Sequence, residues 1–215
     1  MESVRLRISS VLSADEQERA RRFRFERDRR WFEVGRGLLR IFLAEYLGGS
    51  PEAIAFDYGR NGKPVLKEGG ISFNLTHSDD LALFAFASSG SIGIDVERIR
   101  PMPEALRLAS RFFSESERRT IEALPEADRL LGFFTCWTRK EAYIKAIGAG
   151  LSLPLDGFDV TAVPGSEPKL LRIDGDPNGP DRWSFAEIPV DDGFLGVVAY
   201  DAPIASIRFR RIPER

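Results

Sequence analysis

The chain has 215 residues, 43% of them hydrophobic and 30% charged, with a formal net charge of −2. That composition fits a globular protein with an ample core and excludes a polycation built for general nucleic-acid binding. One cysteine, Cys136, excludes an internal disulfide, and one histidine, His77, excludes metal sites that need several imidazoles.

The charge is unevenly spread. Nine arginines (19, 21, 22, 24, 27, 29, 30, 36 and 40) stand against three acids, Glu26, Asp28 and Glu33, between positions 19 and 40. A basic zone in a near-neutral chain points to one anionic ligand or partner. The opening "MESVRLRISS" lacks the apolar run of a signal peptide, and no stretch approaches membrane-spanning length. With the lone cysteine, this leads us to expect a cytoplasmic protein.

In chain order, residues 3–8 alternate like a short strand. Ser13, with Glu16 three residues on, forms a capping-box pattern that opens a helical region running to "LAEYLGG", where glycines stop it. "SPEAI" reads as a short turn or helix start, and "FDYGRNGKPVL" as two short strands about a tight turn. Three strands follow, "ISFNLTH", "LALFAFAS" and "IGIDVE", joined by "SDD" and "SGS". The proline-flanked "RIRPMPEAL" reads as a linker. Then come two helices, "FFSESERRTIEAL" with a Ser114–Glu117 capping box and "PEADRLLGFFTCWTRKEAYIKAIGAG", and strands near 157–162, 169–173, 182–188, 194–200 and 205–211. Each half reads as helix first and antiparallel strands after, so we expect an α+β protein of two similar lobes, residues 1–100 and 101–215.

In "SIGIDVERIR", strand alternation turns Ile92, Ile94 and Val96 to one face and Gly93, Asp95 and Glu97 to the other. The two carboxylates then sit roughly 6.5–7 Å apart by strand rise and repel unless a cation lies between them. Hard oxygen donors so spaced suit Mg²⁺, although an ordinary solvated strand face has the same pattern. On the last helix Trp137, Glu141 and Lys145 share a face at i,i+4 spacing; a plain helix ion pair would explain Glu141 and Lys145 without the indole. His77 ends the strand "FNLTH" where a phosphate contact or a purely structural bond is open to it. Asn61-Gly62 by itself is a turn.

Together, "GKP" (62–64), "FNLTHS" (73–78), "IGIDVE" (92–97), "FFSESE" (112–117) and "WTRKEAYIKAIGAGLSLPL" (137–155) resemble the 4′-phosphopantetheinyl transferase family, in its large two-lobed class from secondary metabolism. The resemblance covers about residues 13–160. It implies two pseudo-two-fold related α+β lobes in a monomer, and transfer of the phosphopantetheine arm of coenzyme A to a serine of an apo acyl- or peptidyl-carrier protein, releasing 3′,5′-ADP. It also implies residue roles. Asp95, Glu97 and Glu141 would bind Mg²⁺, with Glu141 helping to deprotonate the serine. Lys145 would neutralise the pyrophosphate, and Lys140, His77 and Thr76 would contact phosphates. Gly62, Lys63 and Pro64 would lie near the adenine, and Arg19 and Arg36 at the 3′-phosphate. Glu16 departs from the pattern, since some relatives carry a lysine there. The carrier would be acidic around its serine, with no nucleic acid or membrane partner. Two rival readings are a Mg²⁺-dependent phosphodiesterase and a non-catalytic module that binds coenzyme A or a carrier protein. Arg98 stands where many nucleases place a lysine, and all three acids and both lysines are intact, which weighs against each rival in turn.

Overall fold

The computed structural model describes residues 8, 10–150, 153–201 and 206–212. The strand expected at residues 3–8 lies, Ile8 apart, outside the described residues. Five helices are described: α1 (Ala14–Arg21), α2 (Glu26–Leu47), α3 (Ala105–Phe112), α4 (Glu115–Glu122) and α5 (Glu126–Ile147). The strands are β1 (Phe56–Tyr58), β2 (Pro64–Leu66), β3 (Ser72–Ser78), β4 (Leu81–Ala87), β5 (Ile92–Arg98), β6 (Phe158–Val160), β7 (Leu170–Ile173), β8 (Ser184–Glu187) and β9 (Phe194–Tyr200). β1 pairs with β2, and antiparallel pairs join β3 with β4, β6 with β7, and β9 with both β5 and β8. The α+β class follows.

The chain divides into two compact units. One comprises residues 1–57, 66–68 and 208–215, the other 58–65 and 69–207. The compact units therefore do not part at residue 100. The reason is pairing: β5 lies before that position and β9 after it, yet they run register-matched from Ile92 against Tyr200 to Arg98 against Phe194.

The smaller unit is built on α1 and α2. The Ser13 N–H donates to Glu16 Oε2 at 3.0 Å, closing the expected capping box. The helical region that Ser13 opens is broken at residues 22–25 and resumes as α2, which stops at Gly48 in the left-handed region (φ 70°). The larger unit packs α5 across β5 and β9. Its core gathers Phe113, Ile121, Phe133, Phe134, Ile144, Phe158 and Val160. Phe113 and Phe133 stack at 5.4 Å, and Trp137 lies 5.9 Å from Phe133.

Two expectations fail locally. The linker reading of residues 98–106 stops short, because α3 begins at Ala105 and buries Ala105 and Ala109, one turn apart. Residues 206–211 alternate like a strand but are irregular, with Ile207 and Phe209 exposed: alternation without a neighbouring strand leaves the backbone no ladder to join.

Candidate active site

Strand β5 is buried on both faces. Ile92, Ile94 and Val96 enter one part of the core, as expected, while the opposite face is roofed by α5. Gly93 makes this approach possible. A Cβ at that position would lie 2.1 Å from the Ala142 carbonyl oxygen and 2.2 Å from the Ala146 nitrogen, so the helix backbone crosses directly over it. Small residues complete the contact, with Ala142 and Ala146 on α5 against Ala199 and Val197 on β9. The crossing brings the Glu141–Lys145 face of α5 to the Asp95–Glu97 face of β5.

The cation beside Asp95 is Lys145. Its Nζ donates to Asp95 Oδ1 at 2.6 Å and to Thr76 Oγ1 at 3.1 Å, and the Thr76 hydroxyl donates to the same Oδ1 at 3.1 Å. Thr76 is buried and Asp95 is 3% exposed, whereas the Lys145 side chain keeps 28% of its surface. Burial pushes the Asp95 carboxyl up to about 7; Lys145 opposes the rise, and Glu97 and Glu141 add to it. Glu141 is also pushed up, chiefly by burial and further by Glu97, against the pull of Lys145.

Strand β3 braces this arrangement through the polar face of "FNLTHS". Asn74 Oδ1 accepts the Ile94 N–H at 2.9 Å, Thr76 reaches Asp95, and the Ser78 hydroxyl donates to Glu97 Oε2 at 3.2 Å while accepting the Arg98 N–H at 3.1 Å. Asn74 and Ser78 share one face of β3 with Thr76, as the period of two in a strand dictates. Arg100 stands 3.7 Å from Glu97 Oε2. The acids are not a closed metal cage: among the described residues no group of three His, Cys, Asp or Glu side chains is assembled to hold a metal ion. The donor chemistry nevertheless fits a hard divalent cation, because Asp95 Oδ2 is buried with no hydrogen-bond partner and repelled by two further carboxylates.

One family model, described as the 4′-phosphopantetheinyl transferase superfamily, matches residues 91–197; another, described as 4′-phosphopantetheinyl transferase, N-terminal, matches residues 2–89. The 4′-phosphopantetheinyl transferase HetI of Nostoc sp. is 40% identical over 89% of this chain and 79% of its own length. This chain belongs to the 4′-phosphopantetheinyl transferase family. The 4′-phosphopantetheinyl transferase Sfp of Bacillus subtilis is 34% identical over 72% of this chain and 68% of its own. Among solved structures, the Thermotoga maritima holo-[acyl-carrier-protein] synthase aligns at a TM-score of 0.40 and 22% identity, over 52% of this chain and 63% of that one.

Several residues expected at the ligand of such a transferase are committed to partners within the chain. Lys140 is fully buried, its ammonium 2.8 Å from Glu117 Oε2 and donating to the Leu155 carbonyl (2.7 Å) and the Phe158 carbonyl (2.6 Å), so the expected phosphate contact is not open to it. Arg36 is likewise buried, 3.5 Å from Glu16 Oε1 and over the Phe56 ring at 4.7 Å, which removes it from a solvent-facing phosphate site. Arg40 takes the closer position on Glu16, at 2.7 Å. The acid at position 16 thus sits inside the small unit, holding two arginines. Arg19 is exposed, its guanidinium 5.3 Å from the Phe32 ring. His77 is exposed on the face of β3 opposite Thr76. Gly62 turns with φ 79°, and Pro64 opens β2. The Lys63 ammonium is committed to backbone carbonyls.

Proposed function

We propose that this chain transfers the 4′-phosphopantetheine arm of coenzyme A to a serine hydroxyl of an apo acyl- or peptidyl-carrier protein, releasing 3′,5′-ADP. The observation that carries the reading is the Thr76–Asp95–Lys145 triangle: a partly exposed ammonium held at a buried carboxylate, with Glu141 alongside on α5. In the reaction the serine oxygen forms a bond to one phosphorus of the pyrophosphate, the bridging P–O bond breaks, and the electron pair leaves with the nucleotide. Charge grows on phosphoryl oxygens throughout, so positioning and neutralisation do most of the work.

Lys145 supplies a positive charge for those oxygens. Glu141 takes the serine proton, directly or through water; its raised pKa makes it a stronger base than a solvated glutamate once ionised. Asp95, Glu97 and Glu141 are the residues that would hold Mg²⁺, which when bound supplies charge neutralisation at the pyrophosphate. On the resemblance, Gly62, Pro64 and His77 serve the nucleotide, and Arg19 its 3′-phosphate. We further propose a cytoplasmic monomer serving an acidic carrier of secondary metabolism; the single, buried Cys136 accords with a reducing compartment.

Intact-mass spectrometry of an apo carrier domain tests the reaction, with coenzyme A and Mg²⁺ and with an EDTA control. A gain of one phosphopantetheine arm that disappears with EDTA is the expected result. No gain on any of several carrier types, with coenzyme A still bound, would replace the transferase by a binding module.

A further inference from the structure

Helix α5 carries Glu141 and Lys145 in its last two turns, so the place where it ends governs where they point. The last four carbonyls of a helix have no partner inside it. Here Gly148 reverses the chain with φ 67°, and the loop between β1 and β2 supplies donors from outside. Lys63 Nζ donates to the carbonyls of Lys145 (2.6 Å) and Ala146 (2.9 Å), and to that of Ile92 on β5 (2.9 Å). Asn61 Nδ2 donates to the Gly148 carbonyl at 2.9 Å. The loop holds its own shape, Gly62 N–H donating to the Gly59 carbonyl (2.8 Å) and Gly59 N–H to that of Lys63 (2.9 Å). All these residues belong to the larger unit.

An ammonium has three protons, and these three carbonyls use them all. The cation also lies at the negative end of the helix dipole, where it is stabilising. Burial pulls the Lys63 ammonium down to about 8, as expected for a charge held by carbonyls and not by water. The third acceptor gives the contact its meaning. Ile92 immediately precedes Gly93, the point where α5 crosses β5, so the clamp fastens strand to helix at the crossing, next to Lys145 on one side and three residues before Asp95 on the other.

We infer that Lys63 is a positioning residue for transfer: its ammonium, clamped on Ile92, Lys145 and Ala146, fixes where the last turn of α5 stops along β5 and thereby sets the Lys145–Asp95 pair. Its charge is not a nucleotide contact. The catalytic consequence rests on the transferase reading; the clamp itself does not.

Lys63→Met keeps most of the stem and removes the ammonium. The transfer rate at saturating coenzyme A should fall on the order of tenfold to a hundredfold, as small misplacements of reacting groups do. The Kd for coenzyme A, by calorimetry, should stay within about twofold, the pattern of a lost transition-state interaction. Amide exchange of residues 144–149 should quicken while the rest of the larger unit keeps its protection. A several-fold weaker Kd with an unchanged saturated rate would make Lys63 a nucleotide contact and overturn the inference. Faster exchange with an unchanged rate would reduce it to an ordinary helix cap. Should Lys63→Met not fold, Asn61→Ala removes only the Gly148 donor and should show the same pattern, more weakly; an unchanged rate there would count against the clamp. If the unmodified chain transfers nothing to any carrier, the transferase reading fails, while calorimetry and exchange still decide whether Lys63 holds the nucleotide or the helix.

Discussion

Replacing Asp95 by asparagine should stabilise the protein at pH 8 and abolish transfer. The carboxyl titrates near 7 in the folded chain against 3.8 when free, a difference of about 3 units, and each unit is worth about 1.4 kcal/mol. Between those two values the unfolded state has released a proton that the folded state retains, so this group lowers stability as pH rises through the window. By pH 8 the penalty is complete at about 4 kcal/mol. Asparagine keeps Oδ1 as acceptor for Lys145 and Thr76, but puts an amide where Oδ2 had no partner, at a cost of about 2 kcal/mol. The net gain is about 2 kcal/mol, or about 4–8 °C in Tm for a chain of this size. Near pH 5 the carboxylate penalty has fallen to about 2 kcal/mol and the two melting curves should coincide. Below that the variant should be the less stable protein.

Differential scanning calorimetry across pH 4–8 in EDTA measures this directly. Added Mg²⁺ should raise the Tm of the unmodified protein at pH 8 and leave that of Asp95→Asn unmoved, because only a ligand that binds the folded site shifts its stability. A variant less stable than the parent at pH 8 would refute the reasoning: the ion pair with Lys145 would then outweigh the burial of the charge.

Three further substitutions separate catalytic from structural parts. Lys145→Ala should lower the transfer rate on the order of a hundredfold or more with a Tm shift of a few degrees at most, since its side chain is partly exposed; a variant that mainly melts earlier would mark a plain helix ion pair. Lys140→Met leaves Glu117 buried without its cation and should cost about 3–5 kcal/mol, read as a large drop in Tm with the Kd for coenzyme A unchanged. A weaker Kd at constant Tm would restore Lys140 to the ligand. Gly93→Ala drives a methyl into the α5 backbone and should lose at least about 1–3 kcal/mol of stability together with activity, by melting and by rate; unchanged activity would show that the helix–strand distance is not critical.

Local chemistry made some elements legible and hid others. Both capping boxes were readable because the signal spans four residues: Ser13 with Glu16, and Ser114, whose hydroxyl accepts the Glu117 N–H at 3.2 Å. The start of α3 was hidden behind Pro101 and Pro103, punctuation strong enough to mask an eight-residue amphipathic turn. The pairing of β5 with β9 was not legible at all. Nothing within "IGIDVE" names a partner a hundred residues away, because register follows from which apolar faces meet in the assembled core.

The site divides along the same line. Period 2 placed Asp95 and Glu97 on one face, and period 3.6 placed Trp137, Glu141 and Lys145 on another; both placements depend on one element each, and the structure brings those faces together. What lies between two elements was out of reach. Gly93 read as one more residue of an alternating face, yet it sets how near α5 can come, and so makes Lys145 the cation beside Asp95. The two lysines of "KEAYIK" show how far periodicity reaches. They are five residues apart, about 140° around a helix, so they cannot serve one cluster. Lys145 shares the face of Glu141 and meets the strand carboxylate; Lys140 turns into the core to neutralise Glu117, an acid whose burial at the start of α4 requires a cation of its own.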